Sequence, residues 1–426
     1  MTSEAVPQAA TSTGGTESVF PTIVALAWRN LWRNRRRTWL TIGGIAFAVW
    51  FLVFARSMQS GTFDVMIDNG ARMLVGHVQV QHPRYEEDPR VDYTIEVDEI
   101  LPLLKADPDV DFVSARAQGF ALVSVGERSF GGQIIGVDPR VEAEWSGLKG
   151  LLDRGRYPMA RGEAMIGSLL AKNLHIDVGD EFVVLGTAKA GGIAPLAAQV
   201  VGVFHAAQPE LNRSLVKVHI DDFREAWDFA PHEAHALVVL SSGPAESERV
   251  VARLKNHVQD YRVLGWQDLM REARQMRDMK TGSTQIFFVV IAIIVAFSVV
   301  NTFMMVVFER TQELGVLMAI GMRPALLHLQ LQLEALFVAG LGVLAGFALA
   351  GGIMLIVADT GIPIPVEGME DMIARFNMET HLYPTFDWDG LIFASILMPL
   401  CVQIAALIPA LRLYRMRPVD AIRQEA

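Results

Sequence analysis

The chain of 426 residues contains a single cysteine, Cys401. One cysteine excludes an intramolecular disulfide, whatever the redox state of the compartment. Cys401 falls inside a long apolar run, so it is not placed for nucleophilic catalysis either. The cysteine content therefore points neither to a disulfide-stabilised fold nor to a thiol enzyme.

Motifs for nucleotide, metal and acyl-transfer chemistry are also missing. The only lysine followed by serine or threonine is Lys280, and no glycine precedes it at the spacing of a phosphate-binding loop. His232 and His235 are three residues apart, which is not the i, i+4 spacing of a zinc protease. No Gly-x-Ser-x-Gly sequence occurs. We predict no catalytic residue, no metal site and no enzyme activity in this chain.

Charge is scarce where it would indicate nucleic-acid binding or proton transport. The net charge is -10, and the basic residues cluster beside apolar runs rather than along a soluble face. The apolar runs contain no acidic residue that could relay protons. These patterns exclude DNA and RNA as partners and argue against a proton-driven carrier.

Long apolar segments dominate what is present. Hydrophobic residues make up 51% of the chain, and the mean hydropathy is +0.30. Four runs without charge cover residues 38–55, 281–308, 335–358 and 390–411. About 20 apolar residues cross a bilayer, and one charge at the centre of a span costs roughly 2.5 to 3.5 kcal/mol. The sequence therefore predicts an α-helical membrane protein with four transmembrane helices.

Residues before the first span carry orientation signals. Residues 1–20 are rich in small polar residues and are expected to be disordered. Residues 21–37 show an apolar helical face with two tryptophans, which indicates either an interfacial helix or an extension of the first span. Arg33 and Arg35 to Arg37 place this end in the cytoplasm by the positive-inside rule, and the span is an uncleaved anchor.

Between the first two spans lies a segment of ordinary soluble composition. Alternating or β-rich runs predict strands, and apolar spacing predicts helices over 163–174, 221–229 and 246–258. We expect a large α+β extracytoplasmic domain of two lobes. Its residues 186–199 are rich in glycine and alanine, and form either a mobile hairpin loop or a protruding arm that contacts a soluble partner. The residues of that possible partner loop are Gly186, Lys189, Ile193, Pro195 and Leu196.

The remaining segments follow from span parity and charge. The predicted order is TM1 over 38–58, the extracytoplasmic domain over 59–268, stalk and TM2 over 269–308, and a short cytoplasmic helix and loop over 309–334. TM3 over 335–358, an acidic extracytoplasmic loop over 359–389, TM4 over 390–411 and a basic cytoplasmic tail over 412–426 follow. In TM3, Gly342, Gly346 and Ala350 are four apart, which indicates either a ridge for close helix packing or background glycine.

Residues 309–321 form a short helix between two spans, and their pattern is a family signature. The sequence Glu-Arg-Thr-x-Glu-x-Gly-x-Leu-x-Ala-x-Gly from Glu309 to Gly321 resembles the coupling helix of ABC-transporter permeases of the MacB, FtsX and lipoprotein-releasing (Lol-type) superfamily. Residues 136–139 and 166–180 look like the MacB-like periplasmic core domain, and 409–423 resemble the family ending. The resemblance covers nearly the whole chain.

This resemblance implies that other subunits bind ATP and complete the transporter. Two copies of a cytoplasmic ABC ATPase would bind ATP and Mg, and a second permease copy or a paralogue would complete the transporter. The polar contacts of the coupling helix would come from Glu309, Arg310 and Glu313, and an apolar ridge of Leu314, Leu317 and Met318 would enter a groove on the ATPase. Gly315, Ala319 and Gly321 would allow close approach and helix termination. We expect Glu313→Lys to abolish stimulated ATP hydrolysis while the protein stays in the membrane.

Three functions fit the resemblance. The Trp-Arg-Asn-Leu-Trp-Arg opening and the short cytoplasmic loops look most like the lipoprotein-releasing branch, which implies extraction of a lipoprotein or lipid-like cargo from the inner membrane, with hand-over to a periplasmic chaperone. A tripartite exporter of peptides or small molecules, with a periplasmic adaptor, is the first alternative. A signalling scaffold that activates a periplasmic hydrolase is the second.

Overall fold

The computed structural model describes residues 19–206, 208–357, 360–363 and 381–414. Internal contacts divide the chain into two compact units. The membrane unit comprises the described parts of 1–61, 279–362 and 383–426, and the second unit comprises those of 62–278 and 363–382. The predicted disorder before residue 19, most of the acidic loop and most of the basic tail lie outside the described residues.

Thirteen α-helices occur in the described residues. They are α1 Val19–Leu31, α2 Arg35–Gly70, α3 Val97–Lys105, α4 Pro139–Trp145, α5 Ser168–Leu174, α6 Pro209–Ser214, α7 Ile220–Trp227, α8 Pro244–His257, α9 Trp266–Leu269, α10 Arg271–Glu309, α11 Thr311–Ala319, α12 Pro324–Val357 and α13 Trp388–Leu413. A π-helical turn, Ala71–Val75, follows α2 directly, and a 3₁₀ turn covers Gly147–Leu151.

Four of these helices are long and apolar enough to cross a membrane: Arg35–Val75, Arg271–Glu309, Pro324–Val357 and Trp388–Leu413. At 1.5 Å per residue, the 39 residues of α10 extend about 58 Å, well beyond the roughly 30 Å of a bilayer core. The first two spanning helices are therefore longer than the apolar runs that predicted them. The expected single helix over 21–37 is wrong, since Leu31 ends α1 and Arg35 begins α2.

Close packing of α12 on α2 holds the membrane unit together. A Cβ added to Gly342 would lie 2.6 Å from Ile45, and one added to Gly346 would lie 2.7 Å from Val49. These distances are too short for any side chain, so glycine sets the approach of the two helices. Ala350, the third residue of the ridge, is buried in the same apolar cluster. Burial of this ridge joins α12 to α2.

The second unit is built on one mixed sheet. Its ten strands are β1 Val78–Gln81, β3 Val110–Val125, β4 Arg128–Val137, β5 Leu152–Gly155, β6 Glu163–Gly167, β7 Glu181–Thr187, β8 Ile193–Phe204, β9 Leu215–His219, β11 Ala236–Ser241 and β12 Arg262–Gly265. The strand order is β12-β1-β11-β3-β4-β9-β6-β8-β5, with β7 between β3 and β8. Short strands β2 Ile95–Glu96 and β10 Glu233–Ala234 pair separately, and β13 Ile362–Pro363 and β14 His381–Leu382 complete the set.

Two local predictions in this unit need correction. The expected helix over 163–174 is wrong in its first part, because Glu163–Gly167 is a strand between β8 and β9. The expected loop over 186–199 is also wrong in extent, because β8 already begins at Ile193. Along β8 the side chains alternate between exposed and buried, with Ala194 and Leu196 turned inward. Only the turn at 188–192 separates the two strands.

Candidate functional site

The short helix α11 has defined ends on both sides. Arg310 leaves the helical region after α10, with φ -104° and ψ 13°, and α11 starts at the next residue. At the other end Gly321 has φ +104°, and the amides of Gly321 and Met322 donate to the carbonyls of Met318 and Leu317. This pairing is a Schellman motif, which ends helices at a glycine. Gly321 therefore fixes the length of α11.

Two bidentate ion pairs join α11 and the end of α10 to the turn before α2 and to the start of α2. Glu313 accepts from both terminal nitrogens of Arg33 at 2.9 and 2.7 Å, and Glu309 accepts from Arg37 at 2.9 and 2.5 Å. Arg33 lies in the turn between α1 and α2, and its guanidinium lowers the pKa of Glu313. The two acids of the signature thus bind residues of their own chain, one on each side of the break at Arg310.

A buried carboxylate lies behind these exposed pairs. Glu334 of α12 accepts from Asn30 at 3.0 Å, from Gln330 at 3.2 Å and from Arg310 at 3.4 Å. Arg310 also donates to Glu313 at 3.2 Å. A cavity of about 260 Å³ lies among these side chains and the facing residues of α2 and α10. Arg310 therefore connects α11 to α12 through one polar network.

The buried and exposed sides of α11 differ from those expected from the sequence. Leu314 is only 3% exposed, so its predicted place on an outward ridge is wrong. Leu317 and Met318 are half-buried against the same membrane-unit cluster, and their contact with an ATPase stays a prediction. Leu314 and Leu317 are turned inward because the membrane helices offer the larger apolar surface. The outward face of α11, as we call it, consists of Gln312, Val316, Ala319 and Ile320. On it Val316 is 45% exposed and Ile320 79% exposed, whereas Gly315 is buried.

The predicted partner loop is a hairpin whose residues are divided between two faces. Lys189 forms an ion pair with Glu233, Gly186 packs against Trp227, and Leu196 is buried. Ile193 is 76% exposed, and Pro195 is exposed beside it. Exposed apolar residues on the neighbouring strands continue this surface, and we name the whole the hairpin patch: Phe120, Leu122, Val183, Leu185, Ile193 and Pro195.

The bulky members of the hairpin patch were missed in the sequence. Leu122 pairs across the sheet with Leu185, and Leu185 pairs with Pro195 on β8. The alternation of exposed and buried residues along β7 was a usable signal, but only the sheet register brings β3 alongside β7. Contiguous exposed apolar surface of this kind marks interaction sites on soluble domains.

A buried ion network in the second unit was also missed. Glu142 accepts from Arg116 at 2.5 Å and from Lys217 at 2.9 Å, and all three side chains are almost fully enclosed. Burial opposes ionisation of Glu142, but the two cations lower its pKa to about 2. Burial, together with the charge of Arg116, lowers the pKa of Lys217 although Glu142 acts in the opposite direction. Arg116 also donates to the carbonyl of Leu74 in the π-helical turn after α2.

A metal site needs acidic, histidine or cysteine side chains grouped together. Across the described ranges, no group of three or more histidine, cysteine, aspartate or glutamate side chains could hold a metal ion. The expectation that ATP and Mg bind to a partner subunit stays a prediction.

Family comparisons agree with this architecture. Residues 38–257 match the family described as MacB-like periplasmic core domain, and residues 285–418 match the FtsX-like permease C-terminal family. The first match alone covers more than half of the chain. The chain belongs to the ABC-transporter permease superfamily of MacB, FtsX and LolC. This family assignment confirms the resemblance deduced from the coupling-helix signature.

Individual relatives differ in how much of the chain they match. The lipoprotein-releasing system transmembrane protein LolC of Xylella fastidiosa is 23% identical over 95% of this chain and 99% of its own length. The macrolide export ATP-binding/permease protein MacB of Hyphomonas neptunium is 32% identical over 30% of this chain, and the match spans only 17% of that protein. The crystal structure of the periplasmic region of MacB from Actinobacillus actinomycetemcomitans matches 47% of this chain and 94% of its own, with 13% identity and a TM-score of 0.35.

Proposed function

We propose that this chain is the permease subunit of an ABC transporter and that α11 receives the movement of a cytoplasmic ATPase subunit. The observation that carries the proposal is the combination of a rigid mounting and an exposed apolar face. α11 is capped at Gly321 and joined to α1, α2 and α12 by ion pairs through Arg33 and Arg310. A force on its outward face would pass to those helices rather than bend α11 alone.

The proposal places both termini and α11 in the cytoplasm and the second unit in the periplasm. The arginines before the first span support this orientation. Two ATPase copies and a second permease, either this chain or a paralogue, would complete the transporter. α10 runs as one helix from Arg271 to Glu309, next to α11, and this continuity supports a mechanical role.

For cargo, we propose a lipoprotein extracted from the inner membrane. The alignment with LolC over almost the full length of both chains supports this assignment. The hairpin patch would then bind a periplasmic chaperone that accepts the lipoprotein. The higher identity to a macrolide exporter over a shorter segment supports the alternative of a MacB-type exporter with a periplasmic adaptor. Reconstitution with an ATPase separates the two, since only the first would release an acylated protein from liposomes to a soluble acceptor.

The ATPase surface is testable by charge insertion. We expect Ile320→Asp to prevent co-purification of the ATPase, because a carboxylate on the outward face would have to be desolvated in the interface. Phe20→Asp is the matched control, since Phe20 is an exposed apolar residue of α1 and does not belong to α11. Measurement is by affinity purification in mild detergent followed by ATPase assay. Normal assembly and hydrolysis in Ile320→Asp would contradict the proposed docking face.

A further inference from the structure

A cleft in the second unit carries features of a binding site unrelated to α11 or the hairpin patch. Its volume is about 490 Å³. α3 forms one wall, the first half of β3 forms the floor, and the segments that follow β4 and β9 close the far side. All of these elements belong to the second unit.

The floor of the cleft is the unpaired edge of a strand. β3 pairs with β11 from Val110 to Arg116. On its other side β3 pairs with β4 only from Arg116 onward, because β4 ends at Val137 and the chain turns into α4. Among the described residues, 110–115 of β3 therefore have a strand neighbour on one side alone. Such an edge presents backbone donors and acceptors that can pair with another extended chain.

Two cations at the cleft have no partner of their own. Lys105 at the end of α3 and Arg140 in α4 line it, and neither forms an ion pair within the part of the chain that the structure describes. The other charged groups are already engaged: Arg224 bonds Asp221 and the carbonyl of Glu233, and Asp138 accepts from the backbone amide of Arg140. His219, which accepts from the amide of Asp221, completes the titratable lining.

An unsatisfied buried polar group also lines the cleft. The Ser114 side chain is 1% exposed, and among the described residues its hydroxyl has no hydrogen-bond partner. Buried hydroxyls normally have a hydrogen-bond partner, so this hydroxyl is available to bond a polar group that enters the cleft. Beside it, Val97, Leu101 and Val113 provide apolar wall.

We propose that this cleft binds an extended, acidic peptide segment of another protein by adding it as a strand to the free edge of β3. The backbone edge would supply affinity, the apolar wall would accept alternate side chains, and Lys105 and Arg140 would select carboxylates on the peptide. The chain itself carries a net charge of -10, so attraction of an acidic peptide would have to come from these local cations. This inference is independent of the cargo and of the ATPase partner.

The test uses the full chain in lipid nanodiscs with three labelled probes. The first is the amidated peptide Val-Glu-Val-Glu-Val carrying fluorescein, the second has both glutamates replaced by lysine, and the third is the acidic peptide with N-methyl groups on alternate backbone amides. Fluorescence anisotropy should show saturable binding of the acidic peptide only. We expect the other two to bind at least about tenfold more weakly, because one loses the charge match and the other loses strand pairing.

Variants locate the binding to the cleft. Lys105→Glu and Arg140→Glu should each weaken binding of the acidic peptide by about tenfold. Lys172→Glu, on an exposed position of α5, is the charge-matched control and should bind as the wild type does. In a Cys401→Ser background, Met159→Cys at the lip of the cleft should cross-link to a bromoacetyl form of the acidic peptide.

Defined results would overturn the proposal. Equal binding of the N-methylated peptide would mean that the cleft holds an anion without strand pairing. Equal weakening by Lys172→Glu would mean that the binding is non-specific, and the absence of saturable binding by wild-type protein whose unfolding temperature is normal would reject the site. None of these outcomes depends on whether an ATPase docks on α11.

Discussion

Two of the charge networks in this protein differ in exposure, and the difference separates a breakable connection from a fixed one. In the pair between Arg33 and Glu313, the side chains are 56% and 47% exposed. In the network around Glu142, the Lys217 side chain and the carboxylate are fully enclosed. Exposed pairs contribute about 0.2 to 1 kcal/mol each, whereas loss of one partner from a buried pair costs about 3 to 5 kcal/mol.

This contrast indicates different uses of the same chemistry. Glu142 holds β3, α4 and β9 together, and Arg116 ties the turn after α2 to that network. Such a network resists separation of its elements. The exposed pairs that hold α11 can instead break and re-form at little cost, because water stabilises the separated charges. The fixed network preserves the shape of the second unit, whereas the exposed pairs suit the movement that we propose for α11.

The largest expected effect comes from breaking the buried network. Glu142→Gln would leave Arg116 and Lys217 as buried cations without a counter-ion, and we expect a loss of about 3 to 5 kcal/mol in the free energy of unfolding of the second unit. Denaturant unfolding, followed by hydrogen exchange at β3 and β9, measures this loss in the free energy of unfolding. Glu144→Gln, an exposed acid on the same helix, is the control and should stay within about 0.5 kcal/mol of the wild type.

The pH dependence of the same network has a fixed sign. The pKa of Glu142 is lowered from 4.5 to about 2, so its contribution to stability is complete above pH 4.5 and is lost as the pH falls toward 2. In Glu142→Gln that loss of stability between pH 4.5 and 2 should be smaller than in the wild type. An identical acid dependence in both proteins would mean that folding does not lower the pKa of Glu142.

A smaller effect is expected from helix packing in the membrane unit. Gly346→Val would place a side chain against Val49 and the backbone of α2, and we expect overpacking to cost about 1 to 3 kcal/mol. Gly352→Val on the same helix is the matched control, since a Cβ there meets nothing within 4 Å. Unfolding in mixed micelles compares the two. Equal stability would show that α2 and α12 do not need their close approach.

Changes on the hairpin patch should leave stability almost untouched. For Ile193→Asp we expect a change within about 0.5 kcal/mol, because the residue is largely exposed. Binding of the periplasmic partner should nevertheless be lost in pull-down assays. Leu103→Asp, an exposed apolar residue of α3, should retain the partner. Retained binding in Ile193→Asp would exclude the hairpin patch as the partner surface.

Local patterns in the sequence predicted much of the fold and part of the site. Uncharged runs predicted the four spanning helices. The signature predicted α11, because a helix-ending glycine and the charged residues beside the helix determine local structure. The strand at Glu163–Gly167 was missed because its short apolar run is paired in the sheet centre, where tertiary contacts outweigh helical spacing. Leu314 was placed on the wrong face because its neighbours come from distant helices.

Pairings between distant residues were not predictable from the sequence at all. Arg33 and Glu313 are 280 positions apart in the sequence. Nothing in the sequence around Arg116 indicates its ion pair with Glu142, which only the folded structure places beside it. The free edge of β3 likewise follows from where β4 ends, which depends on sheet register. Such sites need the three-dimensional structure.

A charge swap tests the central claim, that the pair of Arg33 and Glu313 passes force between α11 and the spanning helices. We expect Glu313→Lys and Arg33→Glu each to remove ATP hydrolysis stimulated by the assembled complex, while ATPase binding persists. The double variant, Arg33→Glu with Glu313→Lys, should recover at least about half of the wild-type rate, because the pair is restored in reverse. A double variant that assembles normally and stays inactive would contradict the account.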